Sequence, residues 1–337
     1  MVVGSSKQHK PLKLVVLRHQ HLEPLHISLL STEEDDDDDP CPIISSFYAD
    51  DDIGCPVASC HELLLSTSST DTTGAALWNP STKELKMLPQ SSVPRPPSVV
   101  FEWARFYGFG FDPRSQQQEK DYKVIRFLDF EFEDYTYSCG RVFLVELYSL
   151  KTDSWKQIAY PHTESPMNCA SIYINGFYYW LGSWGGFDII SFDFANDKFS
   201  PALIPGPKTF IKNFQDTEFE FELVEFEGSL AVIVYSMVVA DGEPVEFELW
   251  VWNNDNESWS RRGAWTVSIP AESRGVYLLG LFNNDKLYFQ NSKGELLLFD
   301  AAKEKLKNIC LHYDLSGSYS SLLRIFPYVG SSAEEIK

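Results

Sequence analysis

The chain is 337 residues long, 44% apolar and 15% aromatic, and its 48 acidic and 28 basic side chains give a formal net charge of -20. So much apolar surface excludes a disordered chain despite the charge, and calls for a sizeable core in one large or two ordinary domains. The negative excess repels phosphate backbones and anionic lipid, no run reaches the length of a membrane-spanning helix, and the first residues lack the apolar stretch of a secretory signal. The sequence therefore reads as a cytoplasmic protein, with the nucleus as the alternative, that binds neither nucleic acid nor membrane.

In chain order, residues 1–11 are predicted to be disordered, and strand patterns begin at Leu12. L-K-L-V-V-L-R and P-L-H-I-S-L-L form a first hairpin turning over His19 to Glu23. Residues Ser31 to Gly54 read as one long acidic loop carrying Glu33, Glu34, Asp35, Asp36, Asp37, Asp38, Asp39, Asp50, Asp51 and Asp52. Those ten carboxylates equal half of the net charge. H-E-L-L-L from His61 reads as an inner strand, and S-S-V-P-R-P-P-S from Ser91 as an extended proline-rich connection. Further strands follow as Y-G-F-G-F-D-P from Tyr107, Y-K-V-I-R-F-L from Tyr122 and V-F-L-V-E-L-Y from Val142. S-I-Y-I-N-G-F-Y-Y-W from Ser171 turns at Asn175-Gly176, a strong hairpin signal. E-F-E-F-E from Glu218 and E-F-E from Glu246 alternate with period two, which predicts phenylalanines on a core face and glutamates on a wet one. L-A-V-I-V-Y-S from Leu230 and D-K-L-Y-F from Asp285 are strands, S-L-L-R-I-F-P-Y-V returns to close on the first blade, and 331–337 is a disordered tail.

A hairpin motif recurs within this series: L-W-N-P-S-T-K-E-L-K-M-L-P, L-Y-S-L-K-T-D-S-W-K-Q-I, I-S-F-D-F-A-N-D-K-F-S-P, L-W-V-W-N-N-D-N-E-S-W-S and L-L-F-D-A-A-K-E-K-L-K-N-I. Asn79, Ser149, Asp193, Asn253 and Asp300 open its turns, where a short polar side chain can hydrogen-bond the turn backbone. Their spacing is that of propeller blades. The predicted fold is all-β: a β-propeller of about six four-stranded blades, closed by the N- and C-terminal strands, over residues 12–330.

Signals for chemistry are sparse. Six cysteines form no C-x-x-C pair and read as reduced thiols, with Cys55, Cys60 and His61 too loosely spaced to favour zinc. Gly108 and Gly110 resemble a dinucleotide G-x-G only superficially; within a strand they mark close backbone packing. Glu218, Glu220 and Glu222 could belong to a glycosidase-type pair, but solvation is the default for them. Trp78, Trp155, Trp180, Trp250, Trp252 and Trp259 read as blade packing. Trp184, beside Gly185-Gly186, and the aspartates 35–39 and 50–52 are the candidate partner-binding residues; no catalytic residue, cofactor or metal is expected.

The first repeated hairpin resembles the hallmark of the plant F-box associated domain, and the matches continue in order through Y-G-F-G-F-D-P, D-Y-K-V-I-R, L-Y-S-L-K-T-D-S-W-K, N-G-F-Y-Y-W, I-S-F-D-F-A-N-D-K-F, E-L-W-V-W and S-W-S-R. The acidic segment and the C-terminal Y-V-G-S are most similar to S-locus F-box proteins. The resemblance implies a non-catalytic substrate-recognition module of a Skp-cullin-F-box ubiquitin ligase, in which an N-terminal helical F-box holds the Skp adaptor and the propeller captures a protein target. In the self-incompatibility branch those targets are basic secreted ribonucleases. Because strand patterns begin at Leu12, the F-box helices are expected to be missing, and the Skp adaptor is a partner only where an F-box precedes the chain. An F-box-less decoy or scaffold, and a glycan-active propeller enzyme, are the alternatives.

Overall fold

A computed structural model describes residues 13–19, 25–31, 43–48, 54–68, 71–115, 120–132, 144–162, 166–182, 188–207, 219–236, 244–269, 276–309 and 322–329. Their regular elements are all β-strands, and no helix among them is long and apolar enough to cross a membrane. The strands form six antiparallel sheets, arranged as the six blades of a propeller.

Blade 1 joins the two ends of the chain. β1 (Lys13–His19) pairs with β2 (His26–Ser31), which pairs with β3 (Ile43–Tyr48). The other edge of β1 takes the last strand, so that Lys13 lies opposite both Ser31 and Tyr328. Blade 2 runs from β4 (Pro56–Cys60) through β5 (Leu63–Thr67) and β6 (Ala75–Trp78) to β7 (Leu85–Met87). Blade 3 contains β8 (Val99–Phe111), β9 (Tyr122–Phe132), β10 (Leu144–Ser149) and β11 (Ser154–Ile158). Blade 4 contains β12 (Pro166–Ile174), β13 (Phe177–Gly182), β14 (Asp188–Asp193) and β15 (Lys198–Phe199), with β16 (Ile204–Pro205) also on β14. Blade 5 is β17 (Phe219–Phe226), β18 (Ser229–Ser236), β19 (Val245–Asn253) and β20 (Ser258–Val267). Blade 6 is β21 (Val276–Phe282), β22 (Lys286–Asn291), β23 (Leu296–Asp300) and β24 (Lys305–Ile309), and β25 (Leu322–Tyr328) returns to blade 1. The innermost strands β25, β4, β8, β12, β17 and β21 touch one another in cyclic order, which closes the ring.

The cores lie between blades, and strand alternation decides which neighbour each side chain meets. On β1, Leu14 and Val16 pack with Tyr288, Leu296 and Leu298 of blade 6. Val15 and Leu17 pack on the opposite side with Leu64 and Trp78 of blade 2. Both faces are buried, so the run reads as continuously apolar rather than alternating, and each such side chain contributes about 1.5–3 kcal/mol.

The repeated motif is the outer hairpin, third strand to fourth, of blades 2 to 6. Each anchor acts as its chemistry requires: Asn79 Oδ1 accepts from the Ser81 amide at 2.9 Å, Asp193 Oδ1 from Ala195 at 2.8 Å, Asn253 Oδ1 from Asp255 at 2.8 Å and Asp300 Oδ1 from Ala302 at 3.1 Å. Ser149 Oγ accepts from Thr152 at 3.3 Å. Four positions after each anchor, Lys83, Asp153, Asp197, Glu257 and Glu304 all have left-handed φ, from 47° to 61°. The expected close packing at Gly108 and Gly110 is also present. A Cβ on Gly108 would lie 2.4 Å from the ring of Trp180, whose Nε1 donates to Tyr107 O at 2.7 Å. A Cβ on Gly110 would lie 2.4 Å from Tyr173. Trp155 and Trp259 clasp the preceding blade through the carbonyls of Pro89 and Pro205.

Two expectations are corrected. Residues 31–54 are not one loop, because β3 divides them as the outer strand of blade 1; its six residues I-I-S-S-F-Y are a short run between the two acidic segments, as suits a short edge strand. The runs from His61 and Asp285 are inner strands as expected, each second in its blade after β4 and β21. The E-F-E-F-E run is not a wet outer surface: β17 is the innermost strand of blade 5, and Glu222 within it is half-buried.

Candidate protein-recognition face

The two ends of the propeller are built differently. At one end, which we call the turn end, the first and second strands of blades 2, 4, 5 and 6 join through short turns at His61-Glu62, Asn175-Gly176, Glu227-Gly228 and Asn283 to Asp285. Those turns bond from blade to blade. Val329 N donates to His61 O at 3.2 Å, Tyr122 Oη to Glu62 Oε1 at 3.1 Å and Tyr173 Oη to Phe111 O at 2.9 Å. Asn175 Nδ2 donates to Gly228 O at 3.0 Å, and Glu227 N to Asn284 Oδ1 at 2.9 Å. These bonds span five of the six blade interfaces and commit the polar groups of this end to holding the ring.

The opposite, open end carries the connections 68–74, 88–98, 133–143, 206–218, 268–275 and 310–321. Large apolar side chains that remain exposed gather there: Met87, Val100, Phe101, Phe219 and Tyr277 lie at strand ends facing this side, whereas Phe177 and Val329 lie at the turn end. Exposed apolar groups collected on one side of a folded domain mark an interaction surface.

Blade 3 supplies the most built part of the open end. β8 and β9 run on as a two-stranded ribbon, Val99 lying opposite Phe132 and Trp103 opposite Asp129, whereas β10 begins its pairing only at Leu128. Beneath the ribbon lies a buried ion network. Glu146, side chain 0% exposed, accepts from Arg126 Nε at 2.9 Å, Arg95 Nη1 at 2.6 Å and Ser91 Oγ at 2.7 Å. Arg126, 4% exposed, also stacks on the Trp155 ring at 3.9 Å and donates to Thr73 O. Arg95 Nε continues to Glu102 Oε2 of the ribbon at 2.5 Å. The proline-rich connection is thereby tied to blade 3.

Glu220 and Glu222 form the second polar feature, two residues apart on the inner strand β17. Burial raises both carboxyls, that of Glu222 well above the usual range, and the neighbouring Glu220 charge adds to the effect. Neither has a hydrogen-bonding or ion-pairing side chain among the described residues. Cys60 is buried, its thiol pushed up by burial, and His61 sits beside Lys120 Nζ at 3.3 Å. Among the described residues no cluster of three His, Cys, Asp or Glu could hold a metal.

The expected partner-binding residues Asp35 to Asp39, Asp50 to Asp52 and Trp184 all lie outside the described residues. The strands that bracket the two acidic segments are informative: Ser31 and Ile43 belong to the turn end, Tyr48 and Gly54 to the open end. The two segments are thus bracketed at opposite ends of the propeller.

Comparison with known families matches residues 18–324 to the F-box associated beta propeller domain. The chain belongs to that family. Among curated relatives, F-box protein CPR1 of Arabidopsis thaliana is 29% identical over 284 residues, covering 77% of this chain and 63% of the relative. F-box protein At2g38590 of the same plant is 27% identical over 206 residues, covering 58% of this chain and 44% of the relative. The chain therefore spans less than two thirds of the length of these relatives. A solved structure of a putative 6-phosphogluconolactonase from Bacteroides fragilis covers 96% of this chain and 100% of its own at 11% identity and a TM-score of 0.41, a likeness that carries no functional inference. Among the described residues, the open end with its ribbon is where most of the exposed large apolar side chains stand.

Proposed function

We propose that this F-box associated propeller, over residues 12–330, is the non-catalytic target-recognition module of a Skp-cullin-F-box ubiquitin ligase acting in the cytoplasm. The observation that carries the proposal is the difference between its ends: among the described residues most exposed large apolar side chains gather at the open end, on a framework pinned by buried ion pairs. Membership of a family whose relatives are named F-box proteins supports the ligase context. The charge of -20 favours a basic target, and Asp35 to Asp39 and Asp50 to Asp52 would raise its encounter rate more than its affinity. Replacing these aspartates by asparagine should lower the association rate and its salt dependence; an unchanged rate rejects the steering role. Affinity purification of the chain under proteasome inhibition tests the main proposal. The expected result is a co-purifying protein whose abundance rises when the chain is deleted, and failure to recover any such protein overturns it. Recovery of the Skp adaptor in the same complex separates a ligase component from a decoy.

Glu220 and Glu222 favour one second reading, glycan hydrolysis, because two carboxyls raised by burial sit together on an inner strand. Equal, background-level release from aryl glycosides by the wild type and the Glu222→Gln variant would dispose of it.

A further inference from the structure

We infer that the blade 3 ribbon, Val99 to Trp103 with Asp129 to Phe132, is a preformed docking finger for a target segment that carries an aromatic or aliphatic side chain next to a lysine or arginine. The inference rests on the recognition role proposed above and locates it. The ribbon outruns the blade that supports it, so its side chains have no third strand among the described residues to pack on. Val100 and Phe101 are 53% and 47% exposed, although burial is the default for such residues. Phe101 and Trp103 share one side of the ribbon, with ring centroids 5.7 Å apart. Phe130 and Phe132 share the other, at 6.4 Å.

An exposed aromatic pair on a loose strand would be a liability, but this ribbon is held in place. Ala104 N donates to Thr72 O at 2.9 Å, Thr72 Oγ1 donates to Glu102 O at 2.7 Å, and Arg95 ties Glu102 to the buried Glu146. Arg105 Nη1 donates to Asp129 Oδ2 at 3.1 Å. Bulges between Val99 and Phe101 and between Ala104 and Phe106 flank this segment; such irregularities re-aim side chains. A surface fixed before the partner arrives loses little freedom on binding.

Charge selects the partner. Of the ribbon carboxylates, Glu102 is neutralised by Arg95 and Asp129 by Arg105. Glu131 stands opposite Phe101 in the register, exposed and without an ion pair among the described residues. A residue able to cover Phe101 and Trp103 while offering a cation to Glu131 completes the surface. A second copy of the chain would bring another Glu131 and the same net charge of -20, so the occupant is a different, basic protein segment.

The test uses a fluorescein-labelled peptide of alternating tryptophan and arginine, with matched peptides in which glutamate replaces arginine or alanine replaces tryptophan. Anisotropy with the full chain should show binding of the first peptide only. The double substitution Val100→Ser, Phe101→Ser should weaken it by about tenfold or more, and Glu131→Lys should shift preference to the glutamate peptide. Val329→Ser, an exposed apolar position at the turn end, should leave binding unchanged. Unaltered urea midpoints confirm that the variants fold. Binding of the serine variant within about twofold of wild type, or no change of preference in Glu131→Lys, overturns the inference. So does a wild-type dimer in sedimentation that the serine variant abolishes, which would make a second copy the occupant. A cellular target still captured by both variants refutes the finger and leaves the recognition role intact, whereas capture of no target refutes that role whatever the peptide does.

Discussion

Substitution of Glu146 by leucine probes the network on which blade 3 and the proline-rich connection both depend. The carboxylate is fully enclosed and accepts from Arg126 twice, at 2.7 and 2.9 Å, and once each from Arg95 and Ser91. Its removal strands Arg126, 4% exposed, whose guanidinium cannot shed its charge. Breaking a buried pair in this way costs about 3–5 kcal/mol. Arg126 keeps Thr73 O and the face of Trp155, and Arg95 keeps Glu102, so the cost should fall near the lower bound, about 3 kcal/mol. Replacing both partners, Arg126→Met with Glu146→Leu, removes charge and counter-charge together and should recover most of that loss. Urea unfolding followed by tryptophan fluorescence measures both variants. The loss in the single variant should persist in high salt, because enclosed charges are poorly screened. A single variant within about 1 kcal/mol of wild type, or a double variant as unstable as the single, would refute the assignment of Glu146 as the hub.

Three further outcomes follow from named positions. Glu257→Gly and Glu304→Gly relieve left-handed backbone at φ 47° and 50°, each at an exposed turn; each should stabilise by about 0.5–1 kcal/mol in thermal or urea unfolding, the relief of a non-glycine left-handed residue being partly offset by glycine's chain entropy. Gly108→Ala places a methyl 2.4 Å from Trp180 and should destabilise by about 1–3 kcal/mol; a neutral result would mean that blades 3 and 4 can separate freely. Glu222→Gln tests the inner strand. A carboxyl whose folded pKa is raised above its unfolded value binds more protons when folded, so its contribution to stability is present at low pH and is lost as pH rises from about 4.5. The glutamine variant should therefore gain on the wild type at neutral pH, with the gain vanishing near pH 4; a pH-independent difference would refute the burial of that carboxyl.

Much of the fold was legible because its signals are local. Asn79, Ser149, Asp193, Asn253 and Asp300 each bond their own turn, within three residues, and so leave a motif that can be found without knowing the neighbours. Gly108 and Gly110 announced a close approach, though not that the approaching rings belong to Trp180 and Tyr173, 72 and 63 residues on. Position within a blade was harder to read: the run at His61 and the strand at Pro56 are both short and apolar, and only the ring contacts decide which is innermost. The same holds for E-F-E-F-E, whose alternation fixes two faces but not whether the polar one meets water or a neighbouring blade. The ion network was invisible, because its members come from three chain segments: the register of blade 3 sets Arg126 opposite Glu146, and the connection then folds Ser91 and Arg95 onto that pair. The site residues expected from acidity alone fell on segments outside the described residues, while the ribbon, whose sequence V-V-F-E-W-A-R reads as any buried strand, carried the exposed surface.

That contrast bears on how recognition can vary without loss of the fold. In a ring whose cores lie between blades, every blade leans on two neighbours, and a weakened interface is felt around the circle. Here polar contacts join blades at both ends, as from Leu323 N to Gln290 Oε1 and from Leu278 N to Tyr235 Oη at the open end, whereas the anchored outer hairpins, encoded by short local motifs, all turn at the other. The open end is left with long connections whose length costs little, since loop closure entropy grows only slowly with the number of residues. Substitutions in those connections, away from bonded positions such as Thr72 and Arg95, change what is presented, not what holds the ring. The blade 3 ribbon departs from this division in one respect: Arg95 and Glu102 couple its position to the buried Glu146, so its aromatic residues are presented from the propeller core and not from a loop. A surface of that kind can discriminate by shape, with the exposed Glu131 adding charge selection at its edge.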